Sequence, residues 1–128
     1  HCHDLISTYP FKTFLRNEEE AFSKGKIILK DDVWIGTDSL ILSGVTLERG
    51  CVVAAGSVVT KSFPPYSIIG GNPAKIIKMR FNDQTINNLL QFDYNDLTDD
   101  FIKKNITHFY NKDIHVILRT IKEQKTTI

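Results

Sequence analysis

Hydrophobic positions in this chain recur most regularly at every sixth residue. Starting from Leu29, the column reads Leu29, Ile35, Ile41, Leu47, Val53 and Val59, aliphatic throughout. Neither a helical nor an alternating strand period produces such a column. Four residues further on in each hexad stand Val33, Ser39, Val45, Cys51 and Ser57, all small or β-branched. The column just before that one holds Asp32, Asp38, Gly44, Gly50 and Gly56, residue types that accept turn conformations most side chains avoid. An inward aliphatic, an inward small residue and a corner former per hexad describe short parallel strands joined by tight corners. The pattern therefore predicts a β-helix coil over residues 27 to about 61.

Each rung of such a coil is stable only against its neighbours, so a stack this short needs more rungs upstream or elements that cap it. Proline cannot donate to a ladder, and Phe63-Pro64-Pro65-Tyr66 is expected to end the solenoid. Ser67 to Ile69 can add one last strand before Gly70-Gly71-Asn72-Pro73 turns the chain away. Beyond Phe81 the period becomes helical. Ile86, Leu89 and Leu90 follow an Asn82-Asp83 cap; Ile102, Ile106, Phe109 and Tyr110 follow Thr98; Ile114, Ile117, Leu118 and Ile121 form a third stripe. These helices need the coil or a neighbouring subunit to cover them. The segment Lys12 to Lys26, with Glu18-Glu19-Glu20, reads as an excursion loop. Two regions result: a β-helix domain over 1–81 containing that loop, and an α-helical extension over 82–128.

Composition narrows the class further. Sixteen Lys and Arg against fifteen Asp and Glu leave a formal net charge of +1, which argues against nucleic acid or an anionic membrane as partner. The 128 residues are 41% hydrophobic, yet no apolar run approaches the roughly 20 residues a membrane span needs. Cys2 and Cys51 stand in unlike contexts and suggest no disulfide framework. With no leader visible, a cytoplasmic location is the expectation.

Titratable and aromatic side chains concentrate before the repeat, in His1-Cys2-His3-Asp4-Leu5-Ile6-Ser7-Thr8-Tyr9-Pro10-Phe11. A histidine can take a proton from a hydroxyl near neutral pH, with a carboxylate holding its tautomer. His1, Cys2, His3 and Asp4 are also zinc-ligand types, but tetrahedral sites usually space their ligands more widely, and no metal is expected.

Four ordered motifs carry a family resemblance: His1-x-x-Asp4 with Ser7-Thr8-Tyr9-Pro10-Phe11, Asp32-Val33-Trp34-Ile35-Gly36, Ala54-Ala55-Gly56-Ser57-Val58-Val59-Thr60-Lys61, and Gly70-Gly71-Asn72-Pro73-Ala74-Lys75. In these the chain resembles the hexapeptide-repeat acetyltransferases of the xenobiotic type, the chloramphenicol and streptogramin enzymes and their sugar and polysaccharide O-acetyltransferase relatives. The resemblance implies a left-handed parallel β-helix, a homotrimer with active sites between subunits, and acetyl-CoA as co-substrate. It implies His1 as general base on the acceptor hydroxyl, with Asp4, Tyr9 and Phe11 near the acceptor. Trp34, Thr37, Ala55, Thr60 and Lys61 would follow the pantetheine arm, and Lys75 and Lys78 would meet the anionic nucleotide end. Phe92-Asp93-Tyr94-Asn95-Asp96 replaces the tryptophan-rich segment of the antibiotic-modifying branch, which points to a saccharide hydroxyl as acceptor. An antibiotic hydroxyl, and a non-catalytic binding solenoid, are the alternatives.

Overall fold

In the computed structural model, which describes residues 4–127, the hexads fold into six two-residue strands: β1 (Ile28–Leu29), β2 (Trp34–Ile35), β3 (Leu40–Ile41), β4 (Thr46–Leu47), β5 (Val52–Val53) and β6 (Val58–Val59). Each pairs in parallel with the strand 18 residues away: Ile28 with Thr46, Trp34 with Val52, Leu40 with Val58. Three hexads thus make one turn, and the chain winds a three-faced coil. All five residues of the corner column are in the left-handed region, with φ between 55° and 78°. Asp32 and Asp38 occupy it as tolerated exceptions, because a short polar side chain can bond locally there.

Inside the coil, Val45, Leu47, Cys51, Val53 and Val59 are essentially inaccessible, joined by Phe63, Ile69 and Ala74. Cys51, a free thiol, is held by the Pro64 carbonyl at 3.2 Å and the Ser67 hydroxyl at 3.3 Å, as suits a small inward site. Burial of this column is uneven. Leu29 keeps 49% of its surface exposed and Ile35 37%, whereas Leu47, Val53 and Val59 keep none.

The regular winding ends at the proline pair as expected. Phe63 bridges to Leu47 and Ile68 pairs with Val52, each 16 residues apart, so the third turn is two residues short. The last strand, β7 (Ser67–Gly71), runs longer than the sequence suggested, and the Gly-Gly-Asn-Pro turn leads into a strand that the sequence reading missed, β8 (Ala74–Met79), paired antiparallel to β7.

Helices make up the rest. α1 (Phe11–Arg16) opens the excursion, which the sequence reading took wholly for loop. None of its residues is buried. In the extension, α2 (Asp83–Leu89) is capped by Asn82 Oδ1, which accepts from the Thr85 amide at 2.8 Å. The helix expected behind Thr98 is two helices, α3 (Asp99–Lys104) and α4 (Ile106–Phe109), parted at Asn105. Its inward groups are Phe101 and Phe109, ring to ring at 6.2 Å, while Ile106 and Tyr110 face solvent. α5 (Ile114–Thr126) begins at an Asp113 cap and buries Leu118 and Ile121.

The extension packs on the coil. Tyr66, Ile86, Leu89 and Leu118 form a second buried cluster. Arg49 fastens it: Nη1 donates to the carbonyls of Phe92 at 2.8 Å and Leu89 at 3.3 Å, and the guanidinium lies 5.0 Å from the Tyr94 ring centre. Among the described residues no helix is long and apolar enough to cross a membrane.

Candidate functional site

One sheet carries Trp34, Lys75 and Lys78. Its strands run β2-β5-β7-β8, and their register aligns Trp34, Val52, Ile68 and Lys78 in a single cross-strand row. Because side chains alternate along a strand, this row faces outward while Ile35, Val53 and Ile69 face the core. Trp34, 61% exposed, and Lys78 end a row floored by half-buried aliphatics and about 14 Å long, from about 4.8 Å per strand. Lys75 lies on the same strand as Lys78, opposite Gly70. A Cβ at Gly70 would come within 2.8 Å of Ile77 Cδ1 and 3.0 Å of Ala54 Cβ, so the close seating of β8 depends on glycine there.

Thr37 and Ala55 meet at the corner beside this sheet. The Gly56 amide donates to the Thr37 carbonyl at 2.8 Å, and a Cβ at Gly36 would overlap the Ala55 backbone. The Ala54 and Gly56 amides both bond within the coil. Between them Ala55 is exposed and, among the described residues, makes no hydrogen bond of its own. It follows β5, the strand paired with Trp34–Ile35.

The remaining nominees stand apart. Thr60 and Lys61 follow β6 on the next corner, beyond the face formed by β3 and β6, and Lys61 Nζ lies 5.6 Å from the Phe63 ring centre. Tyr9 meets Phe11 edge-on at 5.0 Å and stacks with Phe14 at 5.6 Å. Tyr9 also lines a depression of about 210 Å³ with Leu5, Phe22 and Glu20. Asp4 is exposed. Among the described residues this leading segment bonds only to itself until Lys24 reaches Ser43 and Gly25 reaches Gly44. A single chain therefore gathers Trp34, Thr37, Ala55, Lys75 and Lys78, but does not bring Asp4, Tyr9 and Phe11 to them. His1, Cys2 and His3 lie outside the described residues.

Sequence reasoning also missed a polar cluster where the extension meets the coil. Arg80 Nη1 bonds to the Gly50 carbonyl at 2.9 Å and to Asp32 Oδ2 at 3.2 Å, and its guanidinium lies over Tyr66 and Phe81. Burial pushes the pKa of the Tyr66 hydroxyl up, and burial together with the Tyr66 hydroxyl pushes that of Tyr94 up. No spacing rule links positions 32, 66, 80 and 94; only the docking of the extension does.

A coil of parallel hexads with a lysine-bearing edge defines the class. Residues 26–61 match the family described as bacterial transferase hexapeptide (six repeats). It is 40% identical over 102 residues to a chloramphenicol acetyltransferase of Klebsiella aerogenes, covering 73% of this chain and 48% of that protein. To a probable macrolide acetyltransferase of Lysinibacillus sphaericus it is 43% identical over 101 residues, 73% of this chain and 56% of that protein. The chain thus spans about half the length of the curated relatives it matches. Among solved structures it is similar to a hexapeptide-repeat acetyltransferase of Vibrio cholerae complexed with acetyl coenzyme A, at 43% identity and TM-score 0.45, over 45% of this chain and 32% of that one.

Proposed function

We propose that this chain is the coenzyme A-binding part of an acetyl-CoA-dependent O-acetyltransferase, wound as a left-handed parallel β-helix and assembled as a homotrimer. The observation that carries the reading is the Ala55 corner: an exposed residue whose backbone makes no hydrogen bond among the described residues, just past β5 in the sheet whose first strand carries the exposed Trp34, as an extended amide-bearing arm requires. Trp34 and Thr37 flank that arm, Lys75 and Lys78 supply charge for phosphates, and Thr60 and Lys61 serve from the neighbouring corner. The leading segment fails to reach this face within its own chain, which supports a site completed by an adjacent subunit.

The chemistry is direct transfer. A thioester is already activated, so positioning and one base suffice. His1 takes the proton as the acceptor oxygen attacks the thioester carbonyl; the carbon–sulfur bond then breaks, and the proton passes to the departing thiolate. Asp4, Tyr9 and Phe11 would shape the acceptor's surroundings. A saccharide hydroxyl is the acceptor favoured by the Phe92–Asp96 segment, which lacks the tryptophans of the antibiotic-modifying branch. An amphenicol or macrolide hydroxyl is the second reading, favoured by the names of the curated relatives.

The test is thiol release from acetyl-CoA with saccharide, chloramphenicol or macrolide acceptors in competition. Acceptor-dependent release that disappears in His1→Ala is the expected result, with Trp34→Ala raising KM for acetyl-CoA roughly tenfold while changing kcat little. Undiminished turnover in His1→Ala removes the base assignment. A protein whose thermal stability does not respond to millimolar coenzyme A is a binding solenoid of another kind, because a ligand held by the native state must stabilise it.

A further inference from the structure

We propose that Arg80 is a positioning residue for the coenzyme A face: it latches the corner in front of Trp34 to the end of the strand that bears Lys78, and so fixes the spacing between the indole and the lysine. The latch belongs to the fold; its use for coenzyme A rests on the proposed function.

A second cross-strand row runs beside Trp34, Val52, Ile68 and Lys78, two residues away on every strand: Asp32, Gly50, Tyr66 and Arg80. Backbone bonds stitch it together, from the Gly50 amide to the Asp31 carbonyl at 2.9 Å, from the Tyr66 amide to the Arg49 carbonyl at 2.8 Å, and from the Arg80 amide to the Tyr66 carbonyl at 2.8 Å. Its first three members are the corner residues of three successive turns, with φ of 55°, 71° and 59°. Tyr66 thus takes the corner position of the shortened third turn, and its ring occupies the space that a Cβ at Gly50 would need. The Arg80 guanidinium lies over that ring and reaches past it, Nη1 donating to the Gly50 carbonyl at 2.9 Å and to Asp32 Oδ2 at 3.2 Å. One side chain at the end of the outermost strand therefore bonds the corners of the second and the first turn.

The latch acts where the coil is least supported. β2 is two residues long and stands at the edge of its sheet, bonded among the described residues to β5 through the Trp34 amide on the Cys51 carbonyl at 2.9 Å and the Gly36 amide on the Val53 carbonyl at 2.8 Å. Neither of its residues is buried. Edge segments with few buried contacts open most readily. Lys78, by contrast, stands on a six-residue strand paired along β7. Asp32 is half exposed, and an ion pair of that kind adds little stability by itself. What the latch governs is where Trp34 sits, more than whether the coil folds.

Trp34 is the sole tryptophan of the chain, so time-resolved fluorescence anisotropy reads its mobility without any ligand. Arg80→Met keeps the stem over Tyr66 and removes the guanidinium. Asp32→Asn removes the charge with a residue that tolerates the left-handed corner. Either one that folds suffices, and Phe101→Leu, which loosens the extension's own packing on Phe109, is the control for general destabilisation. Both latch variants are expected to gain a fast, nanosecond loss of anisotropy at Trp34. In Arg80→Met, a corner held in place about a tenth of the time weakens coenzyme A binding, followed by calorimetric titration of the full chain, about tenfold. Phe101→Leu is expected to lower Tm and leave both readouts at their wild-type values. Unchanged anisotropy in a folded latch variant overturns the proposal, and so does an equal change in Phe101→Leu. Wild-type protein that takes up no coenzyme A removes the cofactor reading, and the anisotropy alone then decides the latch. Wild type and latch variants that bind coenzyme A equally well overturn the positioning role.

Discussion

The first and second turns of the coil are written in the same hexads, yet they are energetically different objects. Leu29, Ile35 and Ile41 in the first turn align with Leu47, Val53 and Val59 in the second, through strands paired in register. Leu47 and Val53 have a rung on either side, the shortened third turn lying beyond them at Phe63 and Ile69, while Val59 pairs only with the first turn; all three are wholly buried. The first turn has a rung on one side only, and its column is left open to solvent at Leu29 and Ile35. Stability in a solenoid therefore belongs to the interfaces between rungs rather than to the rungs.

The largest expected effect is a contrast in that column. Leu47→Ala should cost about 2–5 kcal/mol, the loss of a buried side chain plus a cavity, whereas Leu29→Ala should cost about 1 kcal/mol, as only half its surface is buried. Urea midpoints at constant m-value measure both. Equal costs would break the comparison and mean that the first turn is covered in solution. The corners give a smaller contrast. Gly50→Ala combines a left-handed φ of 71° with overlap of the Tyr66 ring, and a loss of about 2–3 kcal/mol is expected. In the first turn, Asp38 already carries a Cβ at φ 57°, and Asp38→Gly should change stability by about 1 kcal/mol or less. Smallest is the surface pair joining the two turns, Lys30 to Glu48 at 2.7 Å. A double-mutant cycle should return about 0.2–1 kcal/mol, fading in molar salt.

Features set by a local rule were legible in the sequence. The aliphatic column, the corner column and the Asn82 and Thr98 caps follow from residue type at fixed spacing, and all are present. The stop at the proline pair was equally plain. Strand β8 was not, because Lys75-Ile76-Ile77-Lys78 shows neither alternation nor period and becomes a strand only by pairing with β7. The break at Asn105 was hidden because the helical stripe continues across it; there Asn105 Nδ2 donates to the Phe101 carbonyl at 2.9 Å and the chain turns. Of the candidate site, the sheet row and the Ala55 corner follow once three hexads are known to make a turn. The cluster of Asp32, Tyr66, Arg80 and Tyr94 does not, since it is assembled by helices arriving from elsewhere in the chain.

Strand β8 has one more effect. A parallel stack invites continuation, because the edge of its last rung offers unpaired amides and carbonyls to any extended chain that passes. Here the outermost strand of that sheet runs the other way and carries Lys75 and Lys78 on its exposed positions. A foreign strand docking there would meet reversed polarity and a row of positive charge. The residues nominated for phosphates thus also act as a guard against end-to-end aggregation, so replacing both with apolar side chains would weaken two properties at once.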